Sequence, residues 1–241
     1  MGLEVVLREA IKNQYSPEEK TEFSNIIKRF VKLYYDMSKQ TWGVTKWRGV
    51  YVTKAVTDLW VYQELIYEIK PDLIIETGTL FGGSAYYMHN ICRLMELPTR
   101  IITIDVDAVS IHKEVRDLID RNVGLSFFHG SSIGDEAIAY VKAHIASYKP
   151  KRVMVVLDSL HTVDHVKKEL ELYATFVTVG SALIIEDTYP CIELVPMISD
   201  WMLDNPSFKR NYVCEKFMLT FNRDGYLEKV DPTKLYDNGV L

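Results

Sequence analysis

Three carboxylates, Asp158, Glu186 and Asp187, end two short apolar runs, RVMVVLD and ALIIED, and His161 follows three residues after the first. Acids at the ends of neighbouring buried strands project from one sheet edge, where strands lie about 4.8 Å apart. Taken singly, such acids are solvated or cap helices; three together repel one another unless a cation sits among them. All-oxygen ligation favours a hard ion, so the pattern predicts Mg²⁺ held by Asp158, Glu186 and Asp187. An imidazole one turn away, with an ordinary pKa of about 6.5, can take a proton from a hydroxyl. His161 is the candidate general base, the alternative being a residue that ligates or orients without moving protons.

A second group lies in LIIETGTLFGGSAYYM, residues 73–88, where a buried strand turns into a helix around Glu76, Gly78, Gly82 and Gly83. Glycines there would let a ligand approach the backbone, and ligands of open α/β sheets bind beyond the carboxyl ends of the strands. The ExGxxxGGS spacing differs from the GxGxxG of dinucleotide sites, and an acid in the loop would repel a pyrophosphate. The next apolar run, RIITID, ends in Asp105, with Asp107 just beyond, and an acid there can accept from both hydroxyls of a ribose. A glycine loop and a ribose acid without a phosphate site describe a nucleoside pocket, which points to S-adenosylmethionine. The alternative is that the glycines serve a tight turn and that Asp105 caps the next helix.

The elements that must carry these residues alternate. SPEEKTEFSNIIKRFVKLYYDM places Ser16 as an N-cap, Pro17 at the first helical position and Glu19 in a capping box. Phe23, Ile26, Ile27, Phe30, Tyr34 and Met37 then give an apolar face in need of a partner. Residues 41–57, with Trp42, Trp47 and Tyr51, have no period and read as an ordered loop. From Asp58 onward, helices alternate with the runs DLIIE, RIITID, LSFFHG, RVMVVLD and ALIIED, which predicts a parallel sheet covered on both faces. A helix near 191–204 follows, and KFMLTFNRDGYLEKV reads as two extended runs around Asn222-Arg223-Asp224-Gly225, a terminal antiparallel hairpin.

The 241 residues are 48% hydrophobic and carry a net charge of −5, which fits a globular chain with a small-molecule partner and argues against nucleic acid. Cys92, Cys191 and Cys214 lack CxxC spacing and read as reduced thiols. MGLEVVLREAIKN has no signal-peptide core, and no run reaches the ~20 apolar residues of a membrane span, so a cytoplasmic location is expected. His89, His112, His129, His144 and His165 read as packing or surface residues.

In order and spacing, IETGTLFGGSA, IDVD, VVLDSLHT and LYATFVTVGSALIIEDT resemble the cephalosporin hydroxylase family, S-adenosylmethionine- and Mg²⁺-dependent O-methyltransferases of cephamycin biosynthesis and rhamnosyl O-methylation. The resemblance covers Trp42 to Gly225. It implies a Rossmann-like class I methyltransferase: a mostly parallel seven-stranded sheet with helices on both faces and a C-terminal antiparallel hairpin. Residues 58–241 would form that domain, preceded over 1–57 by a helical extension and an aromatic loop. A more distant similarity to catechol O-methyltransferase puts the cofactor on Glu76, Gly78, Thr79, Gly82, Ser84 and Ala85. It puts the ribose on Asp105, the adenine near Gly130, Ser131 and Ser132, and the metal on Asp158, Glu186 and Asp187, with Asp158 also bordering the cofactor. His161 takes the place of that enzyme's basic lysine. The acceptor would be a hydroxyl of a small natural product or sugar, bound near Trp42, Trp47, Tyr51, Trp60 and the segment after Tyr189, and family precedent implies a homo-oligomer. An iron-dependent hydroxylase and a non-catalytic cofactor-binding protein are the rivals; the first needs two histidines and one carboxylate, which these strand ends do not offer.

Overall fold

The computed structural model describes residues 15–231 and 233. The start of the chain, on which the absence of a signal peptide was read, lies outside them. Helix α1, Pro17–Asp36, opens with the predicted box: Glu19 N–H donates to Ser16 Oγ and Ser16 N–H to Glu19 Oε2. Residues 41–57 hold more than a loop, because strands β1 (Lys46–Trp47) and β2 (Val50–Tyr51) pair across Arg48 and Gly49. Both turn residues have positive φ, 50° and 91°, as a two-residue hairpin turn requires.

The main domain then runs α2 (Val56–Ile69), β3 (Leu73–Thr77), α3 (Gly83–Leu94), β4 (Arg100–Asp105), α4 (Lys113–Asp120), β5 (Leu125–His129), α5 (Asp135–Tyr148) and β6 (Val153–Leu157). It closes with α6 (Val163–Tyr173), β7 (Ala182–Ile185), α7 (Leu194–Asp204), β8 (Phe208–Arg210) and β9 (Tyr226–Lys229). The strands form one seven-stranded sheet in the order β5-β4-β3-β6-β7-β9-β8. Strands β3 to β7 are parallel, and β9 is antiparallel to both neighbours. Because β3 lies between β4 and β6, the strand order reverses at its carboxyl end, and the crevice opens there.

Strands β3 and β6 are buried along their whole length, which explains the apolar runs Leu73–Ile75 and Val153–Leu157. Ile74, Met154, Val156 and Ile184 pack in one layer with Tyr62 and Met88 of α2 and α3. Leu73, Ile75, Val155 and Leu183 pack in the other with Val141, Leu170 and Ile198 of α5, α6 and α7. Val50 and Val52, from β2 and just after it, belong to the first layer.

The terminal antiparallel pair is present, but its first strand is Phe208–Arg210, not the 216–221 run. That run is held by side chains instead of a ladder. Phe221 N–H donates to Asp58 Oδ2, Thr57 Oγ1 donates to Leu219 O, and Met218 takes φ 63°.

Candidate active site

The carboxyl ends of β3, β4, β5 and β6 open on a cavity of about 710 Å³, large enough for a nucleoside cofactor and a small acceptor. Gly78, Thr79, Ser84, Asp105, Ser131 and Ser132 line it, and so do Asp158, His161 and Asp187. Glu76, Gly82 and Glu186 do not.

The glycine loop is shaped by protein, not by room for a ligand. A Cβ on Gly78, at φ 83°, would stand 1.8 Å from Asp158 O; one on Gly83 would stand 2.0 Å from Tyr51 O. Gly82, at φ 78°, faces a side chain instead, with Val115 Cγ1 2.6 Å from its Cβ position. Behind the loop, Glu76 is fully buried, accepting from Ser84 Oγ on one oxygen and from Thr103 Oγ1 at 2.7 Å on the other. Burial pushes its pKa up to about 7, against those two hydrogen bonds. Glu76 therefore braces the loop from below and does not face the cavity. Asp105 braces it from the side: Thr79 N–H and Leu80 N–H donate to Oδ2 at 2.7 and 2.9 Å, and Asp107 N–H donates to Oδ1 at 2.9 Å. A carboxylate has about four lone-pair sites, so three of them already serve backbone amides.

At the other end, the donor atoms of Asp158, His161 and Asp187 lie within 4.8 Å of one another. His161 Nε2 is 3.5 Å from Asp158 Oδ1 and 3.8 Å from Asp187 Oδ2, buried and without a hydrogen bond. Burial opposes its charge, but Asp158 and Asp187 outweigh burial and raise its pKa. Desolvation, reinforced by Asp158, pushes Asp187 up to about 6. Asp187 itself is turned by a left-handed backbone, φ 56°.

Glu186, the third acid expected at the metal, stands beside this cluster next to Lys54. It is buried, it is not among the clustered donors, and its Oε1 lies 2.9 Å from Lys54 Nζ. The same ammonium is 2.6 Å from Asp158 Oδ2. Sequence reasoning did not find Lys54; the only signal was a lysine inside the largely apolar stretch VYVTKAV.

His165 corrects another expectation, since it lines the cavity rather than merely packing. Its Nε2 lies 3.1 Å from Ser132 Oγ and 3.0 Å from Ser159 Oγ, and Ser159 donates to the buried Glu169. The spacing of His165 and Glu169 was legible as two residues on one helical face. Of the four aromatics expected around the acceptor, Trp42 and Tyr51 line the cavity. Trp47 packs on Tyr87, and Trp60 is exposed and donates to Glu64. Tyr35 of α1 stacks on Trp42 at 5.3 Å, which ties the N-terminal helix to the cavity wall.

The strand order, the antiparallel last pair and a cavity at the switch point define a class I methyltransferase fold. Among solved structures the chain resembles CmcI in an apo form, with a TM-score of 0.62 and 19% identity over 78% of this chain and 76% of that one. A CmcI structure with Mg and SAM gives a TM-score of 0.60 and 18% identity over 78% and 77%. Residues 39–230 match the family Rhamnosyl O-methyltransferase/CmcI, and the chain belongs to it. It is 33% identical over 163 residues to the rhamnosyl O-methyltransferase of Mycobacterium tuberculosis, covering 68% of this chain and 64% of that protein. It is 31% identical over 164 residues to that of Mycobacterium leprae, covering 68% of each.

Proposed function

We propose that this protein is an S-adenosylmethionine- and Mg²⁺-dependent O-methyltransferase acting on a hydroxyl of a sugar or small natural product. The observation that carries the reading is one cavity with a nucleoside-sized end, bounded by Asp105, Ser131 and Ser132, and an acid–imidazole end, Asp158, His161 and Asp187. The donor set fits a hard divalent cation, because carboxylate oxygens converge there, and the imidazole beside them has an Nε2 without a hydrogen bond, so it is placed to take a proton. The named rhamnosyl relatives support a sugar hydroxyl as acceptor.

Asp158 and Asp187 would hold Mg²⁺, which would supply acidification of the acceptor hydroxyl, and S-adenosylmethionine would supply an electrophilic methyl group. His161 Nε2 accepts the hydroxyl proton, and Asp158 Oδ1, 3.5 Å away, stabilises the imidazolium that forms. Trp42 and Tyr51 cover the acceptor side and hold the sugar in line, and alignment of this kind contributes a large share of the rate.

The test follows transfer of a labelled methyl group to a panel of rhamnosyl glycosides and hydroxylated metabolites. Wild type transfers label and EDTA stops it; His161→Ala lowers the rate by about 10²- to 10⁴-fold, with the deficit shrinking as pH rises. Equal activity of His161→Ala across pH 6 to 9 would remove the imidazole from the proton transfer, and failure to bind S-adenosylhomocysteine would remove the reading altogether. A homo-oligomer in the cytoplasm completes the proposal. Exposed apolar residues on α1 support the first part, and free cysteines support the second. Among the described residues, no helix is long and apolar enough to cross a membrane.

A further inference from the structure

Ser132, Ser159 and His165 line the cavity together, although they come from the loop after β5, the loop after β6 and the first turn of α6. Behind them stands Glu169, one turn further along α6 and wholly buried. A buried carboxylate demands hydrogen-bond donors. Ser159 supplies one, donating from Oγ to Glu169 Oε1 at 2.8 Å, while Oε2 has no hydrogen-bond partner among the described residues.

A serine hydroxyl has a single hydrogen, and that of Ser159 is spent on Glu169. Toward His165 Nε2, 3.0 Å away, Ser159 can therefore only accept, so Nε2 carries a proton. Were that nitrogen bare, two lone pairs would face each other across the same distance. Nε2 also lies 3.1 Å from Ser132 Oγ, which accepts from it as well and so keeps its own hydrogen. Among the described residues, no other acceptor takes that hydrogen. The Ser132 carbonyl is held by Tyr173 Oη–H at 2.6 Å, which fixes the backbone that carries the hydroxyl. Ser132 is buried in the cavity wall, and its hydrogen is left to point into the cavity.

We propose that Glu169, Ser159 and His165 form a one-way chain of hydrogen bonds that makes Ser132 a donor toward the cofactor's base, so that the site selects a purine ring nitrogen there and rejects an amino group. His165 is the positioning residue of this chain. A serine alone would meet either kind of atom, since its hydroxyl both donates and accepts; the buried acid removes the choice. The inference rests on the cofactor reading above and adds what sets the polarity of its nucleoside end.

Calorimetry with S-adenosylhomocysteine and its 1-deaza, 3-deaza and 7-deaza analogues tests it, because each analogue replaces one ring nitrogen by C–H and keeps the rest. Wild type should bind one of the three about tenfold more weakly than the parent, as a site built around a donor does when the acceptor is missing. Ser132→Ala should bind that analogue and the parent within about threefold of each other. His165→Phe should do the same although Ser132 remains, and His165→Gln, whose amide can still donate, should restore the preference. A merely structural His165 would lower the affinity for parent and analogue alike and leave their ratio unchanged. Nitrogen-15 NMR of the wild-type imidazoles answers independently of any variant's folding, with His165 Nε2 expected to be protonated. An unprotonated Nε2 overturns the inference. So does wild type indifferent to all three analogues, or a preference that survives in folded His165→Phe. Wild type that binds no S-adenosylhomocysteine overturns the cofactor reading itself, an outcome distinct from these.

Discussion

A Cβ on Gly78 would stand 1.8 Å from the carbonyl oxygen of Asp158, so the loop after β3 and the residue after β6 are fitted to each other backbone to backbone. Neither atom belongs to a flexible side chain. Gly78→Ala is therefore expected to cost more than about 4 kcal/mol in urea unfolding, or to prevent folding. Gly180 has the same left-handed φ, 78°, with nothing within 4 Å of its Cβ position. Gly180→Ala should cost only the backbone strain, about 1–2 kcal/mol. Equal costs at the two positions would show that conformation, not contact, sets the requirement at Gly78.

Asp105 braces the glycine loop through three backbone amides, and one substitution tells that role from binding a ribose. Asp105→Ala removes the acceptor of three backbone amides, so S-adenosylhomocysteine affinity should fall at least tenfold. The amides of Thr79 and Leu80 should lose hydrogen-exchange protection even in the absence of ligand. Weakened binding with unchanged protection would assign the carboxylate to the ribose alone.

Asp58 lies buried under the 216–221 segment, accepting from Phe221 N–H and Tyr226 Oη–H at 3.0 Å each. Burial, with Glu186 adding to it, pushes its pKa up to about 7, above its unfolded value of about 3.9. The folded state then binds the extra proton, so this group costs nothing below about pH 4 and its full penalty above about pH 7. Across pH 5 to 8, wild type should lose about 2–3 kcal/mol relative to Asp58→Asn, read from urea midpoints. Parallel pH curves for the two proteins would contradict the raised pKa.

Helix α1 leaves Ile26, Phe30, Leu33 and Met37 exposed at 54, 53, 56 and 42%, in the 4-3-4 spacing of a helix-pairing seam. Two copies paired antiparallel bring Ile26 opposite Met37, Phe30 opposite Leu33, and Arg29 opposite Asp36. Sedimentation should show an oligomer that Leu33→Asp dissociates. Arg29→Asp should weaken it, and adding Asp36→Arg should restore it. An oligomer indifferent to Leu33→Asp would use another surface.

What could be read from sequence follows from burial on both faces. β3 and β6 are covered on both sides, so the apolar runs that open LIIE and fill VMVVL announce parallel strands, and the box at Ser16 announces α1. The placement of Asp158 and Asp187 at one sheet edge was legible, because the strands that carry them were. The hairpin Lys46–Tyr51 was hidden because strands of two residues have no period. KFMLTF imitates a strand, yet Asp58, 163 residues from Phe221, captures that backbone with a side chain. Lys54 was out of reach for the same reason, lying 104 residues from Asp158 with nothing local to mark its partner.

The position of Lys54 bears on how this family can be recombined. The lysine precedes the first strand of the main sheet, and Tyr51 O, three residues earlier, faces Gly83 of the glycine loop. A chain beginning at Asp58 would keep the sheet order and the cavity floor, but Asp158 and Glu186 would confront each other without their shared ammonium. A segment that carries Trp42, which lines the cavity, can be exchanged without disturbing the hairpin only if the crossover falls ahead of Lys46. The stretch from the small hairpin to α2 therefore works as one unit with the strand-end acids, although it lies outside the sheet that displays them.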